Sequence, residues 1–164
     1  MKMLKWLDDH IEEVILTILM ALTSIIVFLQ VIMRFVFRNS LTWSEELARY
    51  LFIWLIFIGV SYGIKKEIHL QVDALDALFD RKGQLILDII VNFFVLIFLV
   101  LMTTHGSDIV MRATRISGAI EVSMKVVYLA PVVGFALSII RLIQNTIGKI
   151  RQIKSLDKVE EASK

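Results

Sequence analysis

Three groups of residues carry side chains whose types and spacing could do chemistry. Arg34, Trp43, Glu45, Glu46 and Arg49 lie close together, His69 and Asp73 stand four apart, and Arg112 and Arg115 stand three apart. A histidine and a carboxylate one helical turn apart could begin a metal site, but no third or fourth ligand falls in register, so a local hydrogen bond is the reading. The chain has no cysteine, which removes thiol nucleophiles, disulfides and thiolate metal sites. No serine, histidine and carboxylate gather in one region, and there is no glycine-rich loop to cradle a phosphate. A haem held between helices needs paired axial ligands, and only His105 lies in an apolar run. No catalytic, cofactor-binding or metal-binding residue is assigned, and the chain does not read as an enzyme.

The elements that position these groups follow from composition. Of 164 residues, 57% are hydrophobic and 21% charged, with a net charge of +2. An ordinary soluble domain is less apolar than this, and a disordered chain cannot combine so much apolar surface with so little net charge. The near-neutral balance also argues against nucleic acid as a partner.

Charge-free runs extend over Val14–Met33, Tyr50–Ile64, Ile89–Ser107 and Val126–Ile140. A helix crossing the hydrocarbon layer needs about 20 mostly apolar residues, and snorkelling lysine or arginine extends the shorter runs. The expected fold is an all-α membrane protein with the lipid bilayer as its surroundings. Crossings are predicted at about residues 12–36, 43–64, 85–111 and 125–147, forming one domain over 1–150, with a polar cytoplasmic tail at 151–164. The first run is too long for the roughly 7–15-residue core of a signal peptide and is preceded by Asp8, Asp9, Glu12 and Glu13, so it reads as an uncleaved helix.

Lysine and arginine set the orientation. Two precede the first run, four lie in residues 65–84 and six in the C-terminal portion, twelve in all, against three in each of the two other connections. The positive-inside rule places both termini in the cytoplasm.

Thr42 and Glu45 have capping-box spacing and would start the second helix at Trp43. Glu45 and Arg49 stand in the favourable order for a pair along one face. With Arg34 and Glu46 they would form a charged cluster at the outer boundary, beside Trp43 as an interfacial aromatic. On the inner side Val72, Leu75, Leu78 and Phe79 recur at helical spacing against Asp73, Asp76 and Asp80, which reads as a short amphipathic helix along the membrane surface. Polar stripes run along the crossings: Thr23, Gln30 and Arg34; Asp88, Asn92, Thr103 and Gly106; and Pro131, Gly134, Ser138, Arg141 and Asn145. The small pair Gly134 and Ser138 permits close helix approach, so these stripes read first as packing faces. The middles of the helices are Leu, Ile, Val and Phe, with little of the midplane chemistry that a translocation pathway requires.

In order and spacing, several motifs resemble the small membrane subunit of tripartite ATP-independent periplasmic (TRAP) transporters. They are Val31-Ile32-Met33-Arg34-Phe35-Val36-Phe37, Leu41-Thr42-Trp43-Ser44-Glu45-Glu46-Leu47-Ala48-Arg49-Tyr50 running into Trp54 and Gly59, Ile68-His69-Leu70-Gln71-Val72-Asp73, and Val127-Tyr128-Leu129-Ala130-Pro131. The resemblance covers most of residues 6 to 150. One departure is Lys66-Glu67, where the family tends to carry glycine.

The resemblance implies a bacterial inner-membrane scaffold subunit paired with a large polytopic membrane subunit that holds the substrate and sodium sites. A periplasmic binding protein would deliver an organic acid, of dicarboxylate or sialic acid type, and a sodium gradient would drive uptake. No cofactor is then expected in this chain. Arg34, Trp43, Glu45, Glu46 and Arg49 would serve assembly, Arg34, Arg49, Arg112 and Arg115 would receive the binding protein, and His69, Val72, Asp73, Leu75, Leu78 and Phe79 would brace the inner surface. Pro131, Gly134 and Ser138 would pack helices. The alternative is an autonomous four-helix transporter or channel acting as a homodimer. Such a protein would be expected to carry a carboxylate inside its first helix, and none lies between Val14 and Met33.

Overall fold

A computed structural model of the chain describes residues 2–39, 41–67 and 80–162. These residues form four helices: α1 (Lys2–Phe35), α2 (Thr42–Lys65), α3 (Arg81–Arg112) and α4 (Lys125–Ala162). Each contains a stretch long and apolar enough to cross a membrane, His10–Phe35, Thr42–Lys65, Lys82–Arg112 and Lys125–Leu156. The chain is an all-α, multi-pass membrane protein. The residues read as an interfacial helix, His69, Val72, Asp73, Leu75, Leu78 and Phe79, lie outside the described residues. The polar stretch after residue 150 continues α4 as far as Ala162.

The helices pack in an order that differs from the chain order. α1 lies on α2, α2 on α4, and α4 on α3, so α2 and α4 form the centre and α1 and α3 the flanks. One end of the assembly carries the start of α1, the end of α2, the start of α3 and the second half of α4. We call it the terminal end, and the opposite end, with the α1–α2 and α3–α4 connections, the hairpin end.

The central contact depends on small residues. A Cβ added to Gly134 of α4 would stand 2.5 Å from the Phe57 carbonyl oxygen of α2, so only glycine lets these two backbones approach this closely. Beside it Phe57 and Phe135 meet edge to face with centroids 5.3 Å apart. Ser138, one turn on, is fully buried and donates its hydroxyl to the Gly134 carbonyl at 2.8 Å. Pro131 lies inside α4, where its ring removes the hydrogen bond that a residue there would give to the carbonyl four positions back. Towards the terminal end Ile64, Leu99 and Leu142 form a core from α2, α3 and α4. By contrast Phe28 on α1 and Phe93 and Phe94 on α3 are well exposed, as suits surfaces facing lipid or another membrane protein.

Two local expectations change. α2 begins at Thr42 with Leu41 in the capping position, and no side chain caps it. The Ser44 hydroxyl bonds the Leu41 carbonyl at 2.8 Å instead, and Glu45 reaches across to α1 rather than back to its own first turn. Glu67, just beyond α2, takes a left-handed φ of 59°, the conformation that glycine adopts without steric cost, which gives the Lys66-Glu67 departure its physical meaning.

Candidate functional site

Two polar constellations stand out, one at each end. At the terminal end α4 supplies Arg141, Asn145 and Lys149, four residues apart and therefore stacked on one face. Each reaches a different sister helix. Arg141 Nε donates to Glu12 Oε1 of α1 at 2.9 Å, Asn145 Nδ2 to the Ile64 carbonyl of α2 at 2.7 Å, and Lys149 Nζ to Asp88 Oδ2 of α3 at 2.6 Å. Just above Lys149, Asn92 of α3 donates to Thr146 Oγ1 at 3.0 Å.

Glu12 is the centre of this array. It is 2% exposed, and besides Arg141 it accepts from Ser61 Oγ at 3.0 Å and pairs with Lys65 Nζ at 3.3 Å. Two cations and a hydroxyl around one carboxylate are what a buried charge in a low-dielectric setting requires, since an isolated one would be driven to neutralise. Its neighbour Glu13 accepts from Tyr62 Oη at 2.6 Å and pairs with Lys66 Nζ at 3.3 Å. That carboxylate raises Lys66 above the ordinary lysine range, mainly by the hydrogen bond it accepts. Lys149 also lies 3.7 Å from the Glu67 carboxylate.

Sequence reasoning placed Arg141 and Asn145 on the packing stripe but read Glu12 only as an acidic flank, and it did not single out Lys149. The available signal was Arg141 itself, an arginine adjoining an apolar run that needs a counter-ion at the same depth.

At the hairpin end the charged residues predicted to cluster separate instead. Glu45 accepts from Gln30 Nε2 of α1 at 2.8 Å. No Glu45–Arg49 ion pair forms among the described residues, because such a pair is worth only about 0.3–0.5 kcal/mol on an exposed helix face and is outcompeted by a donor on the adjacent helix. Arg34 sits over the Phe35 ring, 5.9 Å from its centroid, and both Arg34 and Arg49 are exposed. Trp43 is 39% exposed.

Glu46 turns away from these residues to the α3–α4 connection. Its Oε1 accepts from the Tyr50 hydroxyl one turn along α2, and its Oε2 accepts from the Ala119 amide at 3.0 Å, with the Ser117 side chain beside it. The connection is a small hairpin closed by an antiparallel bridge between Ile116 and Ser123, with Glu121 at a left-handed φ of 57°. Arg112 and Arg115 flank its entrance and line an open cleft of about 330 Å³ with Ile109, Thr114 and Tyr128. Among the described residues no group of histidines and carboxylates has the make-up of a metal site.

A row of apolar helices, locked at one end by buried ion pairs and displaying basic residues at the other, defines a multi-pass membrane protein. Residues 23–152 match the family described as "Tripartite ATP-independent periplasmic transporters, DctQ component", and the chain belongs to that family. It is 26% identical over 183 residues to a C4-dicarboxylate TRAP transporter small permease protein of Rhodobacter capsulatus, a match covering 87% of this chain and 78% of the relative. It is 32% identical over 85 residues to a sialic acid TRAP transporter small permease protein of Vibrio cholerae, covering 52% and 49%. It is also 29% identical over 168 residues to an isethionate TRAP transporter permease protein of Oleidesulfovibrio alaskensis, covering 95% of this chain but 26% of that longer relative. Several matches take in about half or less of the relative, 29% and 53% in two further small permeases. The chain is a TRAP small permease subunit, belonging to a transport family rather than to an enzyme family.

Proposed function

We propose that this subunit is the scaffold of a secondary transporter that imports an organic anion using a sodium gradient. It works with a large membrane subunit that holds the substrate and sodium sites and with a soluble binding protein that delivers the solute. The observation that carries this reading is the commitment of the buried charges of α4 to sister helices: Arg141 and Lys149 are spent on Glu12 and Asp88. The isethionate relative supports it, because nearly the whole chain matches a quarter of a longer permease, as a scaffold joined to a larger transporting part would. The relatives named for C4-dicarboxylates, sialic acid and isethionate share an anionic solute, and that class is the one assigned here.

In this reading the membrane is the bacterial inner membrane, the terminal end faces the cytoplasm and the hairpin end the periplasm. The exposed arginines Arg34, Arg49, Arg112 and Arg115 receive the binding protein, where charge acts chiefly on encounter rate and orientation. Trp43, Glu45 and Gln30 hold the first hairpin for assembly with the large subunit.

Reconstitution in liposomes tests the proposal. The chain with its large subunit and binding protein is expected to take up solute only under an inward sodium gradient, and the chain alone to take up none. Uptake by this chain without partners would overturn the scaffold reading in favour of an autonomous transporter.

A further inference from the structure

The carboxylate of Glu46 has an unusual set of partners for a residue on a membrane helix. It accepts from the Tyr50 hydroxyl on its own helix and from the Ala119 backbone amide at the tip of the α3–α4 hairpin. Tyr50 in turn lies 3.3 Å from the Met124 sulfur on the returning arm of the same hairpin. At the tip the Ser117 hydroxyl accepts from the Ile120 amide at 3.3 Å, and the two arms are joined by the Ser117 amide to the Val122 carbonyl at 2.9 Å and the Met124 amide to the Arg115 carbonyl at 3.0 Å. The hairpin is thus wrapped around a carboxylate that belongs to another helix. A short connection closed by one isolated bridge has little stability of its own, so an acceptor that gathers its donors decides where it sits.

We propose that Glu46 is the positioning residue of the basic docking surface: it holds the α3–α4 hairpin so that Arg112 and Arg115, at the mouth of that hairpin, face an incoming acidic surface of the soluble binding protein. This rests on the docking role given to those arginines above. Arg115 is the residue next to the bridge, and its own carbonyl is one of the bridge acceptors, so a displaced hairpin carries Arg115 with it. Glu46 acts through this geometry and touches no partner itself.

The test uses the assembled complex of this chain with its large subunit in lipid nanodiscs, and the probe is the transporter's own soluble binding protein, its affinity read by interferometry. Reversing both arginines (Arg112→Glu with Arg115→Glu) is expected to weaken binding strongly. Glu46→Gln is expected to weaken it about five- to tenfold, the difference between a hydrogen bond to a charged acceptor and one to a neutral acceptor, with co-purification of the large subunit unchanged. Reversing the arginines in the Glu46→Gln background should then add less than the reversal does alone. Ile116 and Ser123 form a pair flanked by the two bridge hydrogen bonds, the close-set kind of antiparallel pair, and the native chain has no cysteine. A disulfide made by Ile116→Cys with Ser123→Cys should therefore restore most of the affinity to Glu46→Gln, a rescue that general destabilisation would not allow. Should Glu46→Gln fail to assemble, Tyr50→Phe gives the same comparison with a smaller expected loss of about two- to threefold. If the arginine reversal has no effect, the docking role itself fails. If the reversal weakens binding but Glu46→Gln or Tyr50→Phe does not, the docking role survives and the positioning role of Glu46 is overturned.

Discussion

The two ends of this helix row hold themselves together by different physics. At the terminal end charged groups are buried and consumed: Glu12 and Arg141 have side chains only 3% and 7% exposed, and every cation of the array has an acidic partner on another helix. At the hairpin end the fastening falls to partly exposed hydrogen bonds, Gln30 to Glu45 and the hairpin amide to Glu46, and the arginines are left on the surface. Buried pairs are costly to form and costlier to break singly, so they suit a permanent framework. Exposed charges contribute little to stability, which leaves them available to act on a partner. In the proposed function, the contrast separates the part of the chain that would serve as the scaffold from the part that other proteins would use.

The largest effect should come from breaking the buried array. Glu12→Ala leaves Arg141 without its carboxylate and is expected to destabilise by about 3–5 kcal/mol, read as a large fall in Tm of the purified chain in detergent. Replacing both partners together, Glu12→Leu with Arg141→Met, should recover part of that loss, because the buried Arg141 charge goes with its carboxylate while Lys65 still loses its Glu12 pairing. An unchanged Tm in Glu12→Ala would remove the terminal end's claim to be the framework.

The next effect is steric. Gly134→Ala forces a methyl group against the Phe57 backbone and is expected to cost about 1–3 kcal/mol, with cross-links between α2 and α4 lost near that level. Asp88→Asn removes the nearer of the two acidic partners of Lys149, a side chain that is 29% exposed, so solvent should limit its effect to about 1 kcal/mol. At the hairpin end Gln30→Ala is expected to change stability by no more than about 0.5 kcal/mol; a loss as large as that of Glu12→Ala would erase the distinction between the two ends.

The smallest effect is expected at Lys66. Its raised value means that the Glu13 pairing is fully present at neutral pH and is lost only as pH rises through that raised value. The pairing's contribution to Tm should therefore be constant from neutral pH up to the ordinary lysine range and lost above it, an alkaline fall that Lys66→Ala should shrink.

Much of this arrangement was legible before any coordinates. The four crossings follow from charge-free runs such as Val14–Met33, and the Gly134–Ser138 contact from the spacing of two small residues on one face. The charged residues around Glu45 were legible as neighbours in the chain, but the cluster expected of them does not form. Helical spacing correctly makes Glu45 and Arg49 neighbours, yet an exposed pair is too weak to resist a competing amide four residues before Arg34. Glu46 gave no local sign of its role, since its partner Ala119 is 73 residues away and offers only a backbone N–H.

What the sequence determined by itself is everything that depends on local sums: which segments are apolar enough to enter a bilayer, where polar residues line one face of a helix, and which motifs mark the family. Only the tertiary structure decided the order α1, α2, α4, α3 across the row and the choice of Glu12 as the counter-ion of Arg141, 129 residues further on. The reason is physical. Hydropathy and helical periodicity are properties of neighbouring residues, whereas the pairing of a buried charge depends on which distant helix comes to lie at the same depth, and only the packing of the helices decides that.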